Sequence, residues 1–279
     1  MRTGWIGAGT MGARMVERLR AAGADVIVWR RPTTARAVPS YAELVGAVDV
    51  VVTMVGTPQD VDLVYFGDEG IIAHARRGQT FIDMTTSSPE LAQRIAEAAK
   101  ARGAQALDAP VSGGPVGAER GTLSVMVGGD EAALAAVAPV LEPLASTVVH
   151  QGAAGSGQLA KLLNQLLVAA VTAATGEVYR LASTQALDSD ALRRSMLAGA
   201  AGSPLVDFIW GRLSADDFEP GYRLAHLRKD LDLLDATAPR AAHSTPLLQT
   251  LRDAVDVAIS RRGAESGSQG LGVATEATP

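Results

Sequence analysis

An α/β fold, with an N-terminal doubly wound parallel sheet followed by an all-α C-terminal domain, is predicted by three observations. Short apolar, β-branched runs alternate with amphipathic helical runs from residue 1 to about 150, the pattern of βαβ units. A glycine-rich turn follows the first of these runs. Strand signals then vanish after Gly152-Ala153-Ala154-Gly155-Ser156-Gly157, and Ala/Leu-rich segments with helical spacing continue to about Ser260. Taken in order, the predicted strands are Thr3–Ile6, Asp25–Trp29, Asp49–Met54, Thr80–Met84, Gln105–Asp108, Leu123–Val127 and Thr147–His150, with helices in the gaps. The domains expected are a dinucleotide-binding unit over 1–152, a helical substrate and oligomerisation unit over 153–262, and a tail over 263–279. The tail is rich in Gly, Ser, Ala and Thr and has only Leu271 and Val273 as large apolar residues, so it is expected to stay disordered.

Composition excludes several functions. The chain has 279 residues, 47% hydrophobic and 20% charged, enough for two domains with a sizeable core. A net charge of -5 with dispersed Lys and Arg gives no footprint for nucleic acid or an anionic membrane. Neither partner is expected. There are no cysteines, and His74, His150, His226 and His243 lack ligand spacing, so no metal site is expected. Met1-Arg2 leads straight into a strand-like run without a signal-peptide pattern, and a cytoplasmic location is expected. The apolar stretch Leu166–Ala174 is about half of the ~20 residues a membrane span requires and reads as a buried helix.

The turn between the first strand and first helix is Gly7-Ala8-Gly9-Thr10-Met11-Gly12, a G-x-G-x-x-G. Glycines at this spacing allow a tight turn, close approach of backbone to a pyrophosphate, and close packing of helix on strand, with the helix N-terminus facing the anion. Its place after a strand and before an amphipathic helix predicts a Rossmann dinucleotide site. At the end of the second strand, where an NAD protein usually carries a carboxylate for the ribose 2′-hydroxyl, the chain has Trp29-Arg30-Arg31-Pro32. Two guanidiniums there suit a 2′-phosphate, so NADP (NADPH) is expected rather than NAD; exposed loop cations are the plainer reading. Met54, Val55, Gly56, Thr57 and Pro58, and Asp83, Met84, Thr85 and Thr86, lie at the carboxyl ends of further strands. They leave room for the nicotinamide ribose, or are ordinary loop residues.

Two further segments carry polar groups in unusual places. Ser112-Gly113-Gly114 follows a strand that Pro110 must end, and its backbone can form an anion nest or simply turn. In GQLAKLLNQL, residues 157–166, Lys161, Asn164 and Gln165 share one helix face by i, i+3 and i+4 spacing. They form a cluster, or a snorkelling lysine with two capping amides.

The segments IGAGTMG with Met15, DAPVSGG, GTLSVMVGG, GAAGSGQLAKLLN and RKDLDL occur in the order found in the β-hydroxyacid dehydrogenase family, which the chain resembles over about residues 2–260. That family includes 3-hydroxyisobutyrate dehydrogenase and the tartronate, glyoxylate and succinic semialdehyde reductases. The resemblance implies a Rossmann domain of the 6-phosphogluconate dehydrogenase NADP-binding type, a long linking helix, an all-α domain, and homodimers or homotetramers. It makes Lys161 the catalytic lysine, Asn164 a substrate-positioning amide, and Ser112, Gly113 and Gly114 the substrate-carboxylate loop. Lys229 and Asp230 match its second lysine and the aspartate beside cofactor and active site. The chain departs from the pattern at Arg30, at Gln165, where a second asparagine is frequent, and at Tyr222, where phenylalanine is frequent. Those last two are expected to reshape the substrate pocket. The activity implied is hydride transfer between a nicotinamide and a small β-hydroxyacid or carboxylated aldehyde, with Lys161 as general acid and base. An imine reductase is the first alternative, but retention of Lys161 and the Ser-Gly-Gly segment argues against it. A non-catalytic NADP-binding module is the second. Small residues Ala169, Ala170, Ala173, Ala174 and Gly176 would permit close helix approach between subunits, or within one.

Overall fold

The computed structural model describes residues 1–29, 40–185, 187–237 and 245–273. It divides into two units, Met1–Lys161 and Leu162–Pro279. Sequence composition placed the change near residue 152, at the loop; the divide falls instead inside a long helix whose first turn packs with the sheet.

The first unit alternates strands and helices as the periodicity predicts. Its elements are β1 (Thr3–Ile6), α1 (Thr10–Ala21), β2 (Val26–Trp29), α2 (Tyr41–Ala47), β3 (Val50–Thr53), α3 (Pro58–Phe66) and β4 (Thr80–Asp83). They continue with α4 (Pro89–Ala101), β5 (Gln105–Asp108), β6 (Val111–Ser112), α5 (Gly114–Arg120), β7 (Leu123–Gly128), α6 (Glu131–Leu141), β8 (Ala145–Gly152) and the start of α7 (Ser156–Thr184). Strands lie in the order β2-β1-β3-β4-β5-β7-β6, with β8 on β7. β1 to β5 are parallel, whereas β7 is antiparallel to β5 and β6, and parallel to β8. The order reverses at β1, which makes the carboxyl ends of β1 and β3 the switch point at which sheets of this kind bind ligands.

Successive side chains of a strand point to opposite faces. Accordingly Val50 and Val52 join Trp5, Met15 and Ile82 in one core, and Val51 joins Ile6, Phe81 and Ile95 in another. Burial on both faces explains why these strands read as continuous apolar runs. Loop residues also start helices: Thr57 caps α3 by accepting from Asp60 N while the Asp60 carboxylate accepts from Thr57 N, and Pro58 occupies the first turn. The two-residue β6 was not foreseen, because Pro110-Val111-Ser112-Gly113 carries turn residues and pairs only with β7.

The second unit contains the remainder of α7, α8 (Ser189–Ala198), α9 (Pro204–Ser214), α10 (Leu224–Thr237) and α11 (Pro246–Arg262). Leu224, Leu227, Leu231 and Leu234 of α10 meet Leu248, Leu251 and Val255 of α11 in its core, the i, i+3, i+4 stripe of a core-facing helix. The expectation of a disordered tail from Gly263 is corrected for residues up to 273. A 3-10 turn spans Ser268–Val273, Leu271 is 2% exposed, and Ser268 N donates to Tyr222 O at 2.7 Å. Gly272 lies against Gly176, where a Cβ on Gly176 would overlap it. Such anchoring needs few large apolar residues, which is why composition missed it. It also explains Gly176 by packing within this chain. By length and composition α7 is long and apolar enough to cross a membrane, the only such helix among the described residues. Its buried face is nonetheless polar at Gln158, Lys161, Gln165, Thr172 and Thr175, as suits a core helix that meets protein.

Candidate active site

Each glycine of the first turn serves a different end. Gly7 has φ +97°, and a Cβ there would overlap the Met54 carbonyl, so β1 and β3 can approach only with glycine. A Cβ on Gly12 would overlap the Gly7 carbonyl, which lets α1 close onto the turn. Gly9 has an ordinary φ of −78° and nothing within 4 Å of a Cβ position. Among the described residues no packing contact requires glycine there. Gly9 also caps α1 without a side-chain hydrogen bond, and the first turn carries no acidic residue. A helix start of this kind favours an anion. Trp5 Nε1 donates to Gly7 O at 3.0 Å and braces the turn; Ala8 and Met11 are half-buried and Thr10 is exposed. The turn fits a dinucleotide pyrophosphate. Arg30 and Arg31, on which the NADP expectation rests, lie outside the described residues, as does His243.

Met54 and Val55 follow β3 and are half-buried. Val55 N donates to the Thr85 hydroxyl at 3.0 Å, Thr85 N donates to Asp83 Oδ1 at 3.1 Å, and Thr85 O accepts from Gln158 Nε2 at 2.8 Å. Thr85, expected as a cofactor ligand, is buried and ties strand ends together. Beside it the Thr53 hydroxyl donates to Asp83 Oδ1 at 2.7 Å. Burial pushes the Asp83 carboxyl up to about 6, the Thr53 and Thr85 hydrogen bonds opposing it.

Sequence reasoning missed what fastens α7 to the sheet. Asp108, in register with Asp83 on the adjacent strand, accepts from Gly155 N and Gln158 N, both at 2.8 Å. These are charge-assisted bonds to amides that the helix start cannot pair internally. Burial still raises the Asp108 carboxyl above the usual carboxylate range, against those hydrogen bonds. Gln158, fully buried, accepts from Ser87 N at 2.8 Å through Oε1 while its amide nitrogen reaches Thr85 O. Gly157 sits so close to β5 and β7 that a Cβ would lie 2.5 Å from Met126 O and 2.6 Å from Asp108 O. The only sequence signal was a buried-helix start, Gly-Ser-Gly-Gln, with glycines that no helix propensity favours. One turn further along is Lys161, 6% exposed. The chain has only three lysines, Lys100, Lys161 and Lys229.

Ser112 ends β6 and is half-buried. Gly113 and Gly114 follow at φ +129° and +62°. Two successive glycines with positive φ turn backbone amides into a concave arc suited to an anionic oxygen. This loop belongs to the same unit as the glycine turn and Lys161.

The remaining expected residues form a network within the second unit. Asp230, 1% exposed, accepts through Oδ2 from Gln165 Nε2 at 2.8 Å and from the Tyr222 hydroxyl, and pairs through Oδ1 with Lys229 Nζ at 2.7 Å. Gln165 Nε2 also donates to the Tyr222 oxygen at 2.7 Å, and Gln165 Oε1 accepts from Asn164 Nδ2 at 3.1 Å. Burial and the Asp230 charge push the Tyr222 phenol well above its ordinary value, so it stays a donor. Gln165, Tyr222 and Asp230, expected to face substrate, are hydrogen-bonded to one another, while Asp230 Oδ1, beside Lys229 Nζ, makes no hydrogen bond of ordinary geometry. Asn164 and Lys229 are held at the two ends of the network.

Residues 2–152 match the family model of the NAD-binding domain of 6-phosphogluconate dehydrogenase, and residues 155–271 match that of NADP-dependent 3-hydroxyisobutyrate dehydrogenase. The chain belongs to the β-hydroxyacid dehydrogenase family. Within that family it is 32% identical to 2-hydroxy-3-oxopropionate reductase of Escherichia coli, over 99% of this chain and 97% of the relative. It is 33% identical to an NAD-dependent L-serine dehydrogenase of Pseudomonas aeruginosa, over 87% of each. The structure of Mycobacterium tuberculosis 3-hydroxyisobutyrate dehydrogenase with L-serine superposes with a TM-score of 0.85 at 31% identity, covering 99% of this chain and 100% of the other. An imine reductase of Streptomyces aurantiacus shares the fold with a TM-score of 0.61 at 18% identity over 97% of this chain and 98% of the other. As a β-hydroxyacid dehydrogenase family member the chain is an NAD(P)-dependent oxidoreductase, with a Rossmann domain followed by a helical one.

Proposed function

We propose that the protein transfers a hydride between NADP(H) and a small β-hydroxyacid or carboxylated aldehyde, with Lys161 as general acid in reduction and general base in oxidation. The observation that carries this reading is the fastening of α7 by Asp108, Gln158 and Gly157 to the strand ends of a dinucleotide unit, which sets the buried Lys161 one turn from that anchor. The bound nicotinamide supplies or receives the hydride. Lys161 Nζ places a proton and a positive charge where a carbonyl oxygen becomes negative, or takes the hydroxyl proton in the reverse direction. Backbone amides of Ser112–Gly114 hold the substrate carboxylate, and Asn164 orients the substrate from the helix that carries Lys161. Arg30 and Arg31, after β2, favour NADP through bidentate contacts to a 2′-phosphate.

The test follows NADPH and NADH absorbance with glyoxylate, succinic, tartronate and methylmalonate semialdehydes and one cyclic imine. Turnover of a carboxylated aldehyde, with NADPH bound at least tenfold tighter than NADH, is expected. Turnover of the imine alone would move the protein to imine reduction, and equal dissociation constants would remove the NADP assignment.

A homodimer or homotetramer is part of the same proposal. Leu159, Leu163, Leu167, Val178 and Leu181 of α7 are all exposed, Leu167 at 67%, and fall on one face by the 3.6-residue period. An apolar stripe of this kind suits helix pairing with a second copy. Sedimentation as a monomer at assay concentration would reject it.

A further inference from the structure

Gln165 and Tyr222 are given no role in the proposed reaction, yet together they hold one buried carboxylate of the second unit. Both donate to the same carboxylate oxygen, Asp230 Oδ2, and they are hydrogen-bonded to each other at 2.7 Å. A carboxylate that is 1% exposed carries a large desolvation cost unless its lone pairs are filled. Here one oxygen is filled by the amide and the phenol, and the other, Oδ1, has the Lys229 ammonium as its ion-pair partner at 2.7 Å without a hydrogen bond of ordinary geometry. Reach is decisive at position 165. An amide one methylene shorter would sit roughly 1.3 Å further back, turning contacts near 2.8 Å into separations of about 4 Å, beyond hydrogen-bond range. The Tyr222 ring in turn carries the hydroxyl that completes the triangle. Lys229 alone is an ammonium on a flexible stem. Here it stands 2.7 Å from a carboxylate whose other oxygen holds two donors, so the charge it faces is fixed in place.

We propose that Gln165 and Tyr222 are a matched pair of positioning residues, which immobilise Asp230 and through it orient the Lys229 ammonium, while the Gln165 carbonyl fixes Asn164. The pair acts as one unit: neither residue alone keeps Asp230 in register, so loss of one forfeits most of what the other contributes. This rests on the reductase reading for its catalytic consequence, since Asn164 and Lys229 matter to turnover only if the protein performs hydride transfer. Its structural content stands separately.

The experiment compares Tyr222→Phe, Gln165→Leu and the double variant in the full-length protein. Lysine is 13C-labelled at Cε, so NMR shows only three side chains, Lys100, Lys161 and Lys229, with Lys229→Arg as the assignment control. The Lys229 signal is expected to shift and narrow in either single variant while the Lys100 signal stays in place. In turnover, each single variant is expected to lose about tenfold in kcat with KM within about threefold, and the double to fall within about threefold of the worse single. An unmoved Lys229 signal in both variants would overturn the proposal whatever the activity. So would a rise in KM at unchanged kcat, which marks residues that bind substrate directly, or a double variant equal to the product of the singles. If the wild-type protein turns over no substrate but the Lys229 signal moves, the positioning stands and the reductase reading fails.

Discussion

Replacing Gly157 with alanine tests how closely the position of Lys161 depends on the packing of α7 against the sheet. The added Cβ would lie 2.5 Å from Met126 O, 2.6 Å from Asp108 O and 2.7 Å from Gly128 N. All three are backbone atoms of β5 and β7, so no side chain can swing aside. A carbon and a carbonyl oxygen rest at about 3.3 Å, so the first turn of α7 must withdraw by roughly 0.8 Å. A helix is stiff over four residues, about 6 Å of rise, and Lys161 moves with it. The same withdrawal stretches the Asp108 bonds to Gly155 N and Gln158 N, now 2.8 Å. Misplacement of a reacting group by about 1 Å costs up to about a hundredfold in rate, so kcat is expected to fall 10- to 100-fold. Overpacking of about 1–3 kcal/mol lowers the melting temperature by several degrees. The glycine turn at Gly7–Gly12 does not touch Gly157, and the dissociation constant for NADPH is expected to stay within about twofold. The assay pairs steady-state kinetics on the best carboxylated aldehyde with fluorescence titration of NADPH. A variant with wild-type kcat and melting temperature would refute the reasoning, because the contact would then be neither tight nor transmitted.

Two other consequences follow from neighbouring residues. Gly9→Ala places a methyl group where the described residues leave open space, at an unstrained φ; the melting temperature is expected to hold within about 3 °C while NADPH binding weakens about tenfold or more. Wild-type affinity would show that no pyrophosphate approaches Gly9. Asp83 has a folded-state value of about 6 against about 3.9 unfolded. The native state then binds the proton more tightly, and stability falls as pH rises from about 4 to 6, by about 3 kcal/mol in total. Asp83→Asn, which keeps an acceptor for Thr53 and Thr85, is expected to flatten that slope in urea titrations at pH 4.5, 6 and 7.5. An unchanged slope would contradict a charge buried at Asp83.

Strand periodicity is a local property, and for that reason Thr3–Ile6 and Gln105–Asp108 coincide with their predicted limits. The helix that carries Lys161 and the glycine turn between β1 and α1 were legible too, since helical spacing and G-x-G-x-x-G are written in consecutive residues. Partnerships across the chain were not. Asp108 gave no sign that it would hold the start of a helix about fifty residues later, and Gln158 looked like an ordinary helix former. Gln165 and Tyr222 read as two independent departures from a pattern, whereas the hydrogen bond between them makes each the reason for the other. Leu271 looked too isolated to order a tail; Gly176 against Gly272 supplies the close approach that no hydropathy pattern displays. Arg30 and Arg31 still rest on the sequence alone.

The most direct measurement of the central claim is turnover and NADPH binding by Lys161→Ala beside the wild type, on whichever carboxylated aldehyde the wild type reduces. The account predicts a kcat lower by at least a hundredfold with the NADPH dissociation constant within about threefold and an unchanged fold by circular dichroism. A variant that reduces the aldehyde at the wild-type rate would show that the proton comes from elsewhere, and would remove Lys161 from the chemistry.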